Sequence, residues 1–220
     1  LYTVMGGFMA VSFTDLIQSI FMTIALIVIV CFGVQQAGGL DTVIDNARAL
    51  PGYLNMTQGY DAASGTAASF STLSIISTLA WGLGYFGMPH IIVRFMSIEK
   101  PSMVKKSAIV ACVWVVLSLG AVCLIAYFGR MLVADELLPA GQQKTIFIVL
   151  ARKLFPAFLA GVLLAAIMAA SMSTADSQLL VASSSFTSDI YKPVFRKNAS
   201  DKEILWMGRL VVLVVSAIAY

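Results

Sequence analysis

Apolar runs long enough to cross a lipid bilayer recur along this 220-residue chain. A transmembrane helix needs about 20 mostly apolar residues to cross a hydrocarbon core of about 30 Å. We predict such spans at about residues 13–34, 70–96, 104–128, 157–187 and 204–220. A water-soluble protein has no reason to repeat runs of this length. The sequence therefore predicts an all-α, polytopic membrane protein.

The composition agrees with a membrane protein and gives no sign of a nucleic-acid partner. Hydrophobic residues make up 60% of the chain and charged residues 11%, whereas an average soluble domain is about 25% charged. The net charge of +3 is small and forms no basic patch of the kind that binds nucleic acid. Cys31, Cys112 and Cys123 lie inside apolar runs without metal-ligand spacing, so we expect them to pack as small apolar side chains.

The placement of Lys and Arg predicts the orientation of the spans, because cytoplasmic loops carry an excess of both. The connections after the second and fourth spans are basic and are predicted to be cytoplasmic. The loop 36–69 holds three acids and one Arg, so it is predicted to lie outside, with a short surface helix. Alternation also places 129–155 outside, although it carries four basic residues; a surface helix is expected at 143–154. Because the chain stops inside an apolar run, we expect an internal fragment of a longer protein.

The run Trp-Gly-Leu-Gly-Tyr-Phe-Gly-Met-Pro-His occupies residues 81–90, within the second predicted span. Glycine and proline weaken the helical hydrogen-bond ladder, and an unpaired backbone group in hydrocarbon is costly unless protein, ligand or ion satisfies it. Many secondary transporters build their sites from broken helices of this kind. If helical geometry persists, Trp81, Tyr85 and Pro89 share one face and form a wall for a small solute. The alternative is a kinked helix whose aromatic side chains pack in the bundle core.

Small and hydroxyl residues surround an acid in the fourth predicted span, in the run Ala-Ala-Ser-Met-Ser-Thr-Ala-Asp-Ser-Gln at residues 169–178. Such residues can serve only to let membrane helices approach closely. Asp176 argues against that alternative, because an ionisable residue within a span usually faces a partner, a cavity or an ion pathway. Ser173, Thr174 and Ser177 lie on the same side of the helix as Asp176. Hard cations prefer such oxygen donors, and we extend this preference to sodium.

Two further ionisable residues are candidates. Asp15 lies at the start of the first predicted span, where a carboxylate can also act as a helix cap or dipole partner. His90 follows Pro89 and has a side chain suited to proton relay. A lone histidine near a kink is more often hydrogen-bonded to backbone, so we assign it no role.

These segments resemble the sodium/solute symporter family, and within it the sodium/proline symporters. Three motifs carry the resemblance: residues 81–90 followed by Arg-Phe-Met at 94–96, the stretch 170–192, and Gly-Gly-Phe-Met-Ala-Val-Ser-Phe-Thr-Asp at 6–15. The resemblance implies a part of an inverted-repeat (LeuT-type) transporter fold, running from the end of core helix 4 to the start of core helix 9. It also implies a plasma (inner) membrane location and partnership with the remaining helices of the same transporter and with lipid.

The resemblance further implies a sodium ion as the coupling ion and assigns site residues. Ala170 would bind sodium through its backbone carbonyl, and Ser173 and Thr174 through their hydroxyls. Trp81, Tyr85 and Pro89 would line the proline site. A second cation site would be formed by Asp15, Ser173, Asp176 and Ser177, where Asp176 replaces a hydroxyl residue of the family.

Sodium-coupled symport of a small solute, above all L-proline, by alternating access is therefore the predicted function. Met88 stands where the proline transporters are expected to have glutamine, which leaves open another solute such as pantothenate or another organic acid or amino acid. A solute sensor with a transporter-like membrane domain is a second alternative, and a structural membrane protein a third. An enzyme is not expected, because the sequence shows no nucleophile–base pair or metal cluster.

Overall fold

A computed structural model of the chain describes residues 2–219. The helices are α1 (Tyr2–Gln36), α2 (Leu40–Ala49), α3 (Thr72–Gly84), α4 (Pro89–Met96), α5 (Pro101–Leu137), α6 (Ile146–Leu154), α7 (Ala157–Ser185) and α8 (Asp201–Ala219), and strands β1 (Gln58–Asp61) and β2 (Thr66–Ser69) form a hairpin. Short 3-10 turns lie at Tyr85–Gly87 and Gln143–Thr145, and a π-helical segment, Phe186–Phe195, extends α7. The chain is therefore helical in its long elements, as an all-α membrane protein requires.

Three helical stretches within residues 2–219 are long and apolar enough to cross a membrane: Thr3–Gln36, Pro101–Leu137 and Ala157–Phe195. The bent pair Thr72–Gly87 and Pro89–Met96 makes a fourth if it is counted as one span. These stretches overlap the first four predicted spans. Helix α8 occupies the range of the fifth, 204–220, up to residue 219, but it is not among these stretches because four charged residues lie on it.

Two helices extend beyond the bounds predicted for their spans. The third span is predicted to end at residue 128, and α5 continues to Leu137 with Arg130, Asp135 and Glu136 on its last turns. The first span is predicted to begin at residue 13, with residues 1–10 as the end of a preceding helix. The structure places non-helical backbone at Gly7 (φ 57°, ψ −146°), a conformation that glycine adopts without strain, between the two helical segments that make up α1. A break between two helices is therefore present, and it lies a few residues before the predicted one.

The helix at residues 81–90 is interrupted. Helix α3 ends at Gly84, the backbone tightens into the 3-10 turn, and Met88 is extended (ψ 112°) before Pro89 begins α4. Proline disfavours helical backbone at the residue before it, and it is well suited to the first position of a new helix. The glycines and the proline therefore end one helix and start another, as the sequence predicts.

The chain divides into two compact units. Unit one comprises residues 2–22, 87–99 and 167–219, and unit two comprises residues 23–86 and 100–166. Unit two holds one continuous cluster of apolar side chains, which we call the apolar core. Its fully buried members are Ile29, Val43, Phe128, Leu150 and Ala151. Gly33 lies so close to Phe128 that a Cβ atom added there would be 2.2 Å from the Phe128 ring.

The loop predicted at 36–69 contains helix α2, at the place of the expected short helix, and a hairpin that was not predicted. Strands β1 and β2 pair antiparallel, from Gln58 opposite Ser69 to Asp61 opposite Thr66. Asp61 accepts hydrogen bonds from the Ala63 amide (3.0 Å) and the Ser64 hydroxyl (2.7 Å). The Ser64 hydrogen bond, followed by the backbone bonds, lowers the pKa of the Asp61 carboxyl.

Unit one is held together by polar contacts between helices. The Ser183 hydroxyl of α7 donates to the Gly208 carbonyl of α8 (2.6 Å). The Arg209 guanidinium donates to the Met5 carbonyl (3.2 Å), close to the break at Gly7, and lies over the Trp206 ring. A polar tie from α8 therefore supports the backbone that this break disturbs.

Candidate functional site

Asp15 lies in a buried cluster with residues of two other helices, which we call the Asp15 cluster and define as Asp15, Arg94 and Ser177. One nitrogen of the Arg94 guanidinium, Nη2, donates to Asp15 Oδ2 and to Ser177 Oγ (2.7 Å). The Asp15 side chain is 9% exposed and Ser177 is also buried, whereas the Arg94 side chain is 47% exposed. A positive side chain from α4 therefore links a carboxylate of α1 to a hydroxyl of α7.

Two buried oxygens on this face of α1 have no hydrogen-bond partner within the described residues. They are Asp15 Oδ1 and Gln18 Oε1. Residues three apart lie on the same face of a helix, so the two side chains are neighbours. Buried polar atoms in folded proteins are nearly always hydrogen-bonded, and an exception calls for an explanation such as an ion or a water molecule. The face thus offers oxygen ligands beyond those that Arg94 satisfies.

Asp176 has a different partner from Asp15. The hydroxyl of Thr3, which is 4% exposed, donates to Asp176 Oδ1 (2.8 Å). Three of the four residues predicted for a second cation site, Asp15, Asp176 and Ser177, therefore divide in this structure. Asp15 and Ser177 meet at Arg94, while Asp176 is engaged by the first turn of α1.

The three candidate sodium ligands lie on one turn of α7. The Thr174 hydroxyl points back to the Ala170 carbonyl at 3.4 Å, which is a weak hydrogen bond. Within residues 2–219 no hydrogen bond engages the Ser173 hydroxyl, and the Ser173 carbonyl accepts from Ser177 (3.0 Å). Each hydroxyl thus keeps lone pairs for a hard cation, so the donor set fits a sodium ion.

Trp81 and Tyr85 lie on one face of the interrupted helix. Their ring centroids are 5.5 Å apart in an edge-to-face arrangement, and both side chains are exposed in this chain. Pro89 does not continue this face by helical spacing, because the backbone between Tyr85 and Pro89 is not α-helical. The condition for a shared face, helical geometry that persists from residue 81 to residue 89, is therefore not met, although the aromatic pair is present.

A cavity of about 270 Å³ adjoins the Asp15 cluster within unit one. Its lining includes Arg94 and Ser177 of the cluster together with His90, Phe8 and Leu180. His90 was given no role from the sequence, and here it lines this cavity on the same helix as Arg94. The cluster is therefore reachable from an open space.

Arg94, Gln18 and Thr3 take part in the site and were not predicted to do so from the sequence. Arg94 was treated as a basic residue near the cytoplasmic end and as part of the motif at 94–96, but it lies in the second predicted span, and an ionisable residue there is itself a functional signal. Gln18 lies three residues after Asp15, and Thr3 lies twelve residues before it. A polar residue inside the first predicted span could have identified Gln18, whereas Thr3 precedes that span.

The long apolar helices, the interrupted helix and the polar groups buried within unit one define a multi-pass helical membrane protein. The profile of the sodium:solute symporter family matches residues 1–220, and the chain belongs to this family. The resemblance inferred from the three motifs is thereby confirmed.

Curated relatives cover almost the whole chain. It is 43% identical to the high-affinity proline transporter PutP of Bacillus subtilis over 99% of this chain and 44% of that protein. It is 39% identical to sodium/proline symporter 2 of Staphylococcus saprophyticus (99% of this chain, 41% of the relative) and 38% identical to the sodium/proline symporter of Escherichia coli (100% and 43%). The chain therefore spans less than half the length of these relatives.

Proposed function

We propose that the full-length protein carries L-proline across the plasma membrane together with sodium, by alternating access. The supporting observation is a set of oxygen ligands on α1 and α7 next to a span whose backbone is interrupted. Membership of the family and the names of the relatives agree with this function. In this proposal the chain acts as a transporter and not as an enzyme.

Sodium is proposed to bind to the Ala170 carbonyl and the Ser173 and Thr174 hydroxyls. The weak Thr174 hydrogen bond to Ala170 is easily exchanged for a cation, because it brings little stability at 3.4 Å. Residues from outside this chain complete the coordination. Asp15, Asp176 and Ser177 are proposed to serve a second cation.

Proline is proposed to bind against Trp81, Tyr85 and Pro89. The edge-to-face pair of Trp81 and Tyr85 presents a rigid apolar surface that suits a small ring. Pro89 lies between the end of α3 and the start of α4, where the last carbonyls of one helix and the first amides of the next lack partners within their own helix. These groups can satisfy the charged ends of an amino acid.

The proposed context is the inverted-repeat fold, with this chain extending from the end of core helix 4 to the start of core helix 9. The remaining helices of the same protein are its proposed partners. In this arrangement α8 enters the bilayer as a further span, where Arg209 is satisfied by the Met5 carbonyl and the Trp206 ring.

Uptake of labelled proline by the full-length protein in proteoliposomes tests the proposal. Ser173→Ala and Thr174→Ala are expected to raise the sodium concentration for half-maximal uptake, since each removes an oxygen ligand. Trp81→Ala and Tyr85→Ala are expected to weaken proline uptake more than sodium affinity. Unchanged sodium dependence in both hydroxyl variants would contradict the sodium assignment.

The solute is tested by competition in the same assay. Proline is expected to displace the label, and pantothenate and other organic acids are not. Met88→Gln is an informative variant, because it restores the residue expected in proline transporters, and it should leave the preference for proline unchanged or sharpen it. Displacement of the label by pantothenate but not by unlabelled proline would reject proline as the solute.

A further inference from the structure

We propose that Arg94 is an intramolecular cation that holds Asp15 and Ser177 until a sodium ion displaces it. Displacement would release α4, the helix that begins at Pro89. This inference rests on the proposed function and adds a residue that couples the second cation site to the solute site. It predicts competition between Arg94 and sodium for the same oxygens.

The difference in exposure within the cluster supports an exchangeable guanidinium. The Asp15 side chain is 9% exposed in this chain and the Arg94 side chain 47% exposed. A buried carboxylate left without a positive partner is strongly destabilising. The buried Asp15 carboxylate therefore depends on a positive partner more strongly than the half-exposed Arg94 guanidinium depends on the carboxylate. Arg94 and a free cation are therefore alternative positive partners for the Asp15 carboxylate.

The unsatisfied oxygens show that the cluster suits a ligand other than Arg94. A single Arg94 nitrogen serves both Asp15 Oδ2 and Ser177 Oγ. Asp15 Oδ1 and Gln18 Oε1 remain buried without partners within residues 2–219. A hard cation collects several oxygens from different directions, whereas both N–H groups of Arg94 Nη2 are already used by Asp15 Oδ2 and Ser177 Oγ. Replacement of Arg94 by a cation could therefore satisfy oxygens that the guanidinium leaves unpaired.

The structure also provides room for the exchange. The cavity of about 270 Å³ is lined by both Arg94 and Ser177, so a displaced side chain has space beside its present position. Arg94 and Pro89 belong to the same eight-residue helix, which ends at Met96. A shift of Arg94 out of the cluster therefore acts on the segment that carries a proposed solute residue. Coupling of this kind must be reciprocal between cation and solute.

Sodium titration of proline uptake by variants of the full-length protein tests the inference. Arg94→Gln removes the competitor and is expected to lower the half-saturating sodium concentration at least about fivefold, the lower end of typical coupling between sites. Arg94→Lys keeps the positive charge, so its half-saturating sodium concentration should lie closer to the wild-type value than that of Arg94→Gln. Arg209→Gln is the matched control, since Arg209 also lies on a membrane helix of unit one but contacts Met5 and Trp206 instead.

The double variant Asp15→Asn/Arg94→Gln separates competition from a general effect of the lost charge. Without the carboxylate, loss of Arg94 is expected to leave the half-saturating sodium concentration equal to that of Asp15→Asn alone. A persistent fivefold effect in the Asp15→Asn background would overturn the inference. So would an unchanged or raised sodium requirement in Arg94→Gln.

A distance measurement tests the same exchange with Arg94 in place, in case Arg94→Gln does not fold. Spin labels at Met9→Cys and Met96→Cys, both on exposed side chains, report the separation of α1 and α4 in a background without native cysteines. Sodium is expected to change this distance in the wild-type background and not with Asp15→Asn. A distance that sodium leaves unchanged would contradict the inference. Failure of the proposed function would show differently, as wild-type uptake that does not depend on sodium.

Discussion

The apolar core of unit two is closely packed and apolar, whereas the Asp15 cluster of unit one is polar and only partly buried. The apolar core is closed: Phe128, Ile29 and Leu150 have no exposed surface, and Gly33 leaves no space above the Phe128 ring. The Asp15 cluster is open on one side and keeps two buried oxygens unpaired within the described residues. The stability of the apolar core depends on the fit between side-chain shapes. The Asp15 cluster depends instead on contacts between charged and polar groups, which we propose can change partners.

This difference shows where the chain can vary its contacts without losing its fold. Between membrane helices, close packing and short polar ties provide the stability, because lipid is as apolar as the side chains. A packed region has no second arrangement of similar energy. In our proposal, a cluster with unpaired oxygens and a half-exposed positive side chain has at least two arrangements. We therefore expect substitutions in the apolar core to change stability, and substitutions in unit one to change sodium dependence as well.

The largest expected effect is a loss of folding stability in Gly33→Ala. The added methyl group would be 2.2 Å from the Phe128 ring, so either α1 or the ring must shift. Overpacking of this kind costs about 3 kcal/mol, measured as a lower melting temperature of the detergent-solubilised protein. Gly161→Ala is the control, since nothing lies within 4 Å of its Cβ position. Equal melting temperatures for the two variants would mean that the apolar core is not closed.

The second-largest effect is expected for Thr3→Val. It keeps the shape of a buried side chain but removes the hydroxyl that donates to Asp176 at 2.8 Å. Removal of one partner of a buried hydrogen bond costs about 2 kcal/mol, and sodium-dependent uptake should change with it. Thr3→Ser retains the hydroxyl and should stay closer to the wild type in both measurements. If the Val and Ser variants behave alike, the contact with Asp176 has no role.

A smaller loss of folding stability is expected for Trp114→Phe in unit two. The Trp114 indole donates a hydrogen bond to the Thr23 hydroxyl (3.0 Å), a neutral pair between α5 and α1. Its removal costs about 1 kcal/mol, to be seen in thermal unfolding. The half-saturating sodium concentration should not change. A clear change in sodium dependence would show that the contact between Trp114 and Thr23 does more than stabilise the packing of α5 on α1.

The smallest expected effect is a pH-dependent loss of stability in the hairpin of β1 and β2. Because the pKa of Asp61 is lowered below its usual value of 3.8, its ionised form stabilises the folded hairpin. This contribution is fully present above pH 3.8 and is lost as the pH falls through the lowered pKa. Hydrogen exchange of residues 58–69, corrected for intrinsic rates, should show the loss. Asp61→Asn should abolish this pH dependence, and its persistence there would exclude Asp61 as the cause.

The spans and the interrupted helix could be predicted from the sequence because apolar length, glycine and proline act locally. Pro89 alone determines both the extended Met88 and the start of α4. The hairpin could not be predicted, since β1 and β2 are four residues each and show no clear alternation of apolar and polar side chains. The partners of Asp15 and Asp176 could not be predicted either. Arg94 and Thr3 are 79 and 173 residues away from the carboxylates that they contact, and only the packing of helices brings them together.

Equilibrium binding of proline and sodium to the purified full-length protein tests the central claim most directly. The account predicts that sodium tightens proline binding and that proline tightens sodium binding by the same factor, within the range of about 5- to 150-fold for coupled sites. The factor should fall towards one in Ser173→Ala/Thr174→Ala. Proline binding of equal affinity in sodium and in potassium would contradict the account.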